Sequence, residues 1–68
     1  MSVYNTIDLE GASSTSWGDA AREALREASR TIRGISKMDI LGTSLTVRDG
    51  SIAEYRTAVR LYFEIVGR

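Results

Sequence analysis

The sequence predicts an α+β fold, a single β-α-β-β domain (1–68) in which a three-stranded antiparallel sheet curls around one long helix. Three observations predict it. An apolar stripe at three- and four-residue steps begins at Trp17, directly behind a capping signal. An Asp49-Gly50 pair separates two long runs of alternating polarity. A shorter alternating run precedes the helix.

The first strand is read over Val3 to Glu10, with Val3, Ile7 and Leu9 on one face and Tyr4, Thr6, Asp8 and Glu10 on the other. Gly11 is expected to end it, and Ala12-Ser13-Ser14-Thr15 has loop composition. Ser16 and Asp19 form a capping-box pattern, with Asp in place of the usual Glu. Behind the cap, Trp17, Ala20, Ala21, Ala24, Leu25, Ala28 and Ile32 make one apolar stripe, rich enough in alanine for a neighbour to approach closely. The opposite face holds Asp19/Arg22, Glu23/Arg26 and Glu27/Arg30, each an acid three residues before an arginine. Gly34 after Arg33 is the expected left-handed stop.

Ile35 to Val47 reads as the second strand, with a change of phase inside it. Met38 and Ile40 set one parity and Leu41, Leu45 and Val47 the other, with Gly42 at the change, which predicts a bulge or sharp bend. After the Asp49-Gly50 turn, Ala53, Tyr55, Thr57, Val59, Leu61, Phe63 and Ile65 form a nearly all-apolar face, while Glu54, Arg56, Arg60, Tyr62 and Glu64 make the other largely polar. Fourteen strand residues reach about 45 Å, whereas a 17-residue helix covers about 25 Å. The last strand therefore overshoots its helix, and the excess must curl or pair with another subunit to avoid an exposed edge.

Composition points the same way. A chain of 68 residues buries only about 60% of the surface it exposes when unfolded. The usual supports for so small a core are disulfides, metals or oligomerisation. The chain has no cysteine and no histidine, which removes disulfides, thiolate zinc sites and the commonest metal ligand, and leaves self-association. Nine basic and nine acidic residues cancel, so the electrostatic footprint of a nucleic-acid binder is missing. No apolar run approaches the ~20 residues of a membrane span, and Met1-Ser2-Val3-Tyr4 enters the strand pattern without a basic leader. The expectation is a cytoplasmic protein with no membrane partner.

Catalysis is hard to build from these residues. General bases reduce to Asp, Glu, Lys and Tyr, and nucleophiles to Ser, Thr or Lys. Gly11, Gly18, Gly34, Gly42, Gly50 and Gly67 match no phosphate-cradling spacing. Glu54 and Glu64 lie ten apart on one strand, too far for a carboxylate pair within one subunit. The expected class is a binding protein. Arg22, Arg26, Arg30 and Arg33 stack on one helix face, but the interleaved acids read as a solvated, ion-paired surface. Trp17 reads as an anchor at the core or its rim. Lys37 and Arg56 are the candidate ligand-binding residues. One reading has them in ion pairs with Asp39, Glu54 or Glu64. The other has them lining a cationic pocket at a subunit junction, suited to an anionic or π-rich ligand.

The element order, the stretch Val3-Tyr4-Asn5-Thr6-Ile7-Asp8-Leu9-Glu10-Gly11, the Ser14-Thr15-Ser16-Trp17 helix entry, the Asp49-Gly50 turn and the Tyr55-to-Ile65 strand together resemble the dodecin family. The resemblance covers essentially the whole chain. It implies a sheet wrapped on its helix, a homododecamer shaped as a hollow sphere, and storage of a flavin (riboflavin or FMN) without turnover. Flavin-binding members place a stacking tryptophan at the start of the second strand, where this sequence aligns Lys37. They place a glutamine after the aromatic residue of the third strand, where Arg56 follows Tyr55. Arginines that reach the flavin-mononucleotide phosphate in some members align with Ser44 and Glu64. The opening Met1-Ser2-Val3-Tyr4 and the Tyr55-Arg56 pair are more similar to a tryptophan-less branch described as calcium dodecins. Calcium requires several oxygen ligands. Asp8, Glu10, Glu54 and Glu64 are scattered candidates that select no metal site. The resulting expectation is a small-ligand or ion storage shell with an altered flavin site. The alternatives are a structural oligomer without cofactor, or flavin binding retained weakly.

Overall fold

The central strand is the last one in sequence. In the computed structural model, which describes residues 2–65, the chain runs β1 (Val3–Ser13), α1 (Trp17–Ser29), β2 (Ile35–Arg48) and β3 (Ser51–Ile65), and the sheet order is β1-β3-β2. Met1 and Gly67 lie outside the described residues. β3 is antiparallel to both neighbours, with Leu9 opposite Val59 on one side and Ile40 opposite Val59 on the other. A strand paired on both edges and covered by a helix needs one fully apolar face, which the odd-numbered residues of β3 supply. Val59 and Leu61 are fully buried there against Ala21, Ala24 and Ala28 of α1, with Ile7, Leu9, Leu25, Ile32, Ile35 and Met38 around them. Thr57 is also buried, and its hydroxyl donates to the Trp17 carbonyl at 2.8 Å, so its burial leaves no polar atom unpaired.

Two boundaries differ from the sequence reading. β1 does not end at Gly11 but continues to Ser13, opposite Tyr55. Gly11 is a packing residue: it is buried, and a β-carbon there would run into the carbonyl of Ala20 and lie 3.1 Å from the amide of Ala24. The helix backbone rests directly on the strand at this point. α1 stops at Ser29 rather than Arg33, because the amides of Arg30 and Thr31 tighten onto the carbonyls of Glu27 and Ala28, each at 3.2 Å. Gly34 has the expected positive φ (+76°), but it sits in the connection to β2 rather than at the helix end.

Other local signals are realised as read. The Ser16 hydroxyl accepts from the Asp19 amide at 3.0 Å. The Asp19 carboxylate accepts from the Ser13 hydroxyl at 2.8 Å, which ties the end of β1 to the first turn of α1. The phase change in β2 is a register shift between Ile40 and Gly42. Asp49 and Gly50 both have positive φ (50° and 76°), as a tight two-residue hairpin turn demands.

The helix covers only part of the sheet. Its 13 residues span about 20 Å, against about 50 Å for the 15 residues of β3. Past its end Leu45, Val47 and Ile52 are exposed, and beside it Ile40 and Leu41 are exposed on the edge strand β2. Trp17 closes the core at this end. Its ring meets Tyr55 edge to face at 5.2 Å, its indole N–H donates to the Ser44 carbonyl at 2.9 Å, and 41% of it stays exposed. No helix among the described residues is long and apolar enough to cross a membrane.

Candidate functional site

The sheet face turned away from α1 carries the charged residues. Alternation places the even-numbered residues of β3 there, and register sets Asp8 opposite Arg60, Tyr4 opposite Glu64, Lys37 opposite Tyr62 and Ser44 opposite Arg56. Arg60 grips Asp8 in a two-pronged pair, Nε to Oδ1 at 2.8 Å and Nη2 to Oδ2 at 3.0 Å. Arg56 reaches diagonally to Glu10, with Nε and Nη2 at 2.9 and 2.6 Å from Oε1, and its Nη1 lies 3.2 Å from Glu54. Glu54 also accepts from the Thr46 hydroxyl at 3.3 Å. These guanidinium pairs fasten the edge strand β1 to β3 on the side the helix does not cover.

The other feature centres on Lys37. Its ammonium stands 4.5 Å above the ring of Tyr62, a cation–π distance, and 3.8 Å from Asp39 Oδ1. Tyr62 in turn donates its hydroxyl to Asp39 Oδ2 at 2.7 Å. Beside this group opens a recess of about 540 Å³ lined by Tyr4, Ser36, Lys37 and Tyr62. Arg56 is six residues from Tyr62 along β3, about 20 Å away, so one chain does not bring Lys37 and Arg56 into a single pocket.

The hydrogen bonds set the direction of each titration. Bonding to Arg60 holds the Asp8 carboxyl below its ordinary range, and the same pairing raises Arg60. Bonding to Glu10 raises Arg56, and donation to Asp39 raises the Tyr62 phenol. The signs fix a pH window. Asp8, depressed in the folded state, contributes stability above about pH 4 that is lost as pH falls through its folded value. Tyr62, raised in the folded state, contributes below about pH 10 and loses that contribution as pH rises. Urea midpoints measured across pH should therefore fall at both extremes, and Asp8→Asn should flatten the acid limb only. An unchanged acid limb in that variant would contradict the pairing.

Sequence reasoning singled out Lys37 and Arg56 but missed Tyr4 and Ser36 beside Lys37, Glu10 as the partner of Arg56, and the separate Asp8–Arg60 pair. Asp8 and Glu10 were legible in principle, since they recur with the same period as Arg56 and Arg60 on the polar faces of two strands. Ser36 had no signal, because its place depends on a register shift between Ile35 and Lys37. Of the scattered oxygen ligands, Asp8, Glu10 and Glu54 are each held by an arginine. Among the described residues, no three of the acids gather as a metal site. Along α1 and its C-terminal cap, Arg22, Arg26 and Arg30 pair with Asp19, Glu23 and Glu27.

Fold and site together define a small sheet-and-helix subunit with an ion-paired open face and one cationic, phenol-lined recess. The Dodecin family model matches residues 3–66, and the chain belongs to the dodecin family. It is 32% identical over 65 residues to calcium dodecin of Mycobacterium tuberculosis, covering 96% of this chain and 92% of that protein. The crystal structure of that calcium-chelating antigen, which has a calcium-binding site, superposes with a TM-score of 0.83 over 94% of this chain and 91% of its own. The dodecin of Streptomyces coelicolor shares the fold at a TM-score of 0.91 and 22% identity, covering 98% of this chain and 96% of its own. A Thermus thermophilus protein does so at 0.91 and 22%, with complete coverage of both chains. The relationship to calcium dodecin and the β-α-β-β topology agree with the sequence reading.

Proposed function

We propose that this chain is a storage or sequestration subunit, not an enzyme, which holds a small ligand or ion inside a self-assembled homododecameric shell in the cytoplasm. The observation that carries this reading is the Lys37 ammonium seated on Tyr62 where the family resemblance places a flavin-stacking tryptophan. A planar stacking surface is replaced by a positive charge, so the flavin site is altered and an anionic ligand takes precedence at this position. The relative at 32% identity, a calcium dodecin, supports calcium as the ion. Calcium needs six to eight oxygens. With Asp8, Glu10 and Glu54 engaged by arginines, those oxygens would come from more than one subunit. Self-association is supported by the exposed Ile40, Leu41, Leu45, Val47 and Ile52, apolar side chains left uncovered by the helix that a neighbouring subunit would cover. Lys37 and Arg56 are the cations this reading assigns to an anionic ligand rather than to calcium, with Arg56 meeting Lys37 only across a subunit junction.

Size-exclusion chromatography with light scattering tests the shell, and a species near 7.5 kDa would overturn it. Calcium is expected to raise the melting temperature, reversibly with a chelator, while micromolar riboflavin leaves Trp17 fluorescence unchanged. Strong quenching by riboflavin would restore the flavin reading. Insensitivity to both would favour the structural oligomer without a cofactor.

A further inference from the structure

β2 begins with a misfit. Ile35 pairs with Phe63 and Lys37 with Tyr62, so Ser36 is an extra residue in the ladder. Such bulges re-aim side chains, and here Ser36 and Lys37, consecutive in sequence, both line the same recess. A regular strand would send them to opposite faces. At about 540 Å³ the recess lies within the size range of small-molecule sites. Its lining combines two phenol rings, one hydroxyl and one ammonium.

The ammonium stands over an aromatic ring but is incompletely used. It is held over Tyr62, and its carboxylate partner Asp39 stands 3.8 Å off, longer than a hydrogen bond. The other oxygen of Asp39 is occupied by the Tyr62 hydroxyl. Lys37 thus has N–H donors to offer an incoming acceptor without leaving its aromatic seat. Tyr4 provides an apolar wall, half exposed, on the opposite side. Glu64, opposite Tyr4 in register, disfavours an anion at that end and orients it toward Lys37.

We propose that this recess binds a small aromatic anion, a single ring bearing a carboxylate or a phosphate, with the anionic group on Lys37 Nζ and the Ser36 hydroxyl and the ring against Tyr4. The inference rests on the assignment of Lys37 to a ligand above, and is independent of calcium because none of the four lining residues is a carboxylate.

The test is isothermal titration of the full-length protein with benzoate, phenyl phosphate, inorganic phosphate and benzyl alcohol. Benzoate or phenyl phosphate should bind with a Kd below about 1 mM, weakening with salt, and both inorganic phosphate and benzyl alcohol should bind at least about tenfold more weakly. Whichever of the two aryl anions binds more tightly identifies the group. Lys37→Gln and Tyr4→Leu should each weaken that anion about tenfold while far-UV circular dichroism stays unchanged. No binding of either aryl anion by the wild-type protein, or equal binding by Lys37→Gln, would overturn the proposal. Calcium-dependent melting is read separately. Its loss would sink the calcium reading and leave this one standing, and failure of aryl-anion binding would do the reverse.

Discussion

Gly11→Val is expected to unfold the subunit. The cause is space rather than backbone conformation. Gly11 lies on the helix-facing side of β1, opposite Thr57, and the atoms a β-carbon would meet are all backbone: the carbonyl of Ala20 and the amide of Ala24. A clashing side chain can change rotamer, but a helix backbone can only move as a unit. Moving α1 away from β1 would open the layer formed by Ala21, Ala24, Ala28, Val59 and Leu61. Overpacking of this kind costs about 1–3 kcal/mol for small insertions and more where nothing can yield. A domain of 68 residues has about 3–10 kcal/mol of total stability. Gly11→Ala should therefore lower the melting temperature by ten degrees or more, and Gly11→Val should abolish the cooperative far-UV circular dichroism transition. A valine variant melting within a few degrees of wild type would show that the helix does not rest on this strand.

Lys37→Trp is expected to increase riboflavin affinity by about 10- to 100-fold. Stacking of a planar heterocycle on an aromatic side chain contributes about 1–3 kcal/mol per ring, and each 1.4 kcal/mol is about a factor of ten. The substitution is structurally mild, since position 37 is exposed and its pair with Asp39 is long and solvent-screened. It also sets an indole beside the Tyr62 ring that now carries the ammonium. Titration of riboflavin fluorescence against wild type and variant reads the change directly. Equal affinity would mean that position 37 does not face the flavin locus in this chain, and the proposed reason for the altered site would fall. The same variant should lose the salt-sensitive binding of aryl anions, so one substitution moves the two ligand classes in opposite directions.

How much of this was legible in advance depends on the range of the interaction that decides each feature. The Ser16 cap, the Asp49-Gly50 turn and the break near Gly42 are decided within a few residues, and alternation or spacing displays them directly. The end of α1 was missed because propensity continues through Arg33, while Ile32 is drawn onto the core at the approach to β2. Gly11 reads as a strand stop because a glycine that ends a strand and one that admits a helix backbone look identical in sequence. At the site, Lys37 and Arg56 stood out as unusual residue types on polar strand faces. Their partners did not, because Glu10 reaches Arg56 across 46 residues of chain and Tyr4 meets Lys37 only through the pairing of β1 and β2 with the same central strand.

Local pattern is enough to establish the elements, their order and the polarity of each face. It also sets a last strand too long for its helix. Tertiary structure decided that β3 lies between β1 and β2, that Gly11 is where helix and sheet touch, and that a register shift at Ser36 opens a recess beside a lysine held on a tyrosine. The physical reason is the period of a strand. Alternation assigns every residue to a face, but which residue stands opposite it depends on pairings tens of residues away, and a one-residue shift changes the company each side chain keeps.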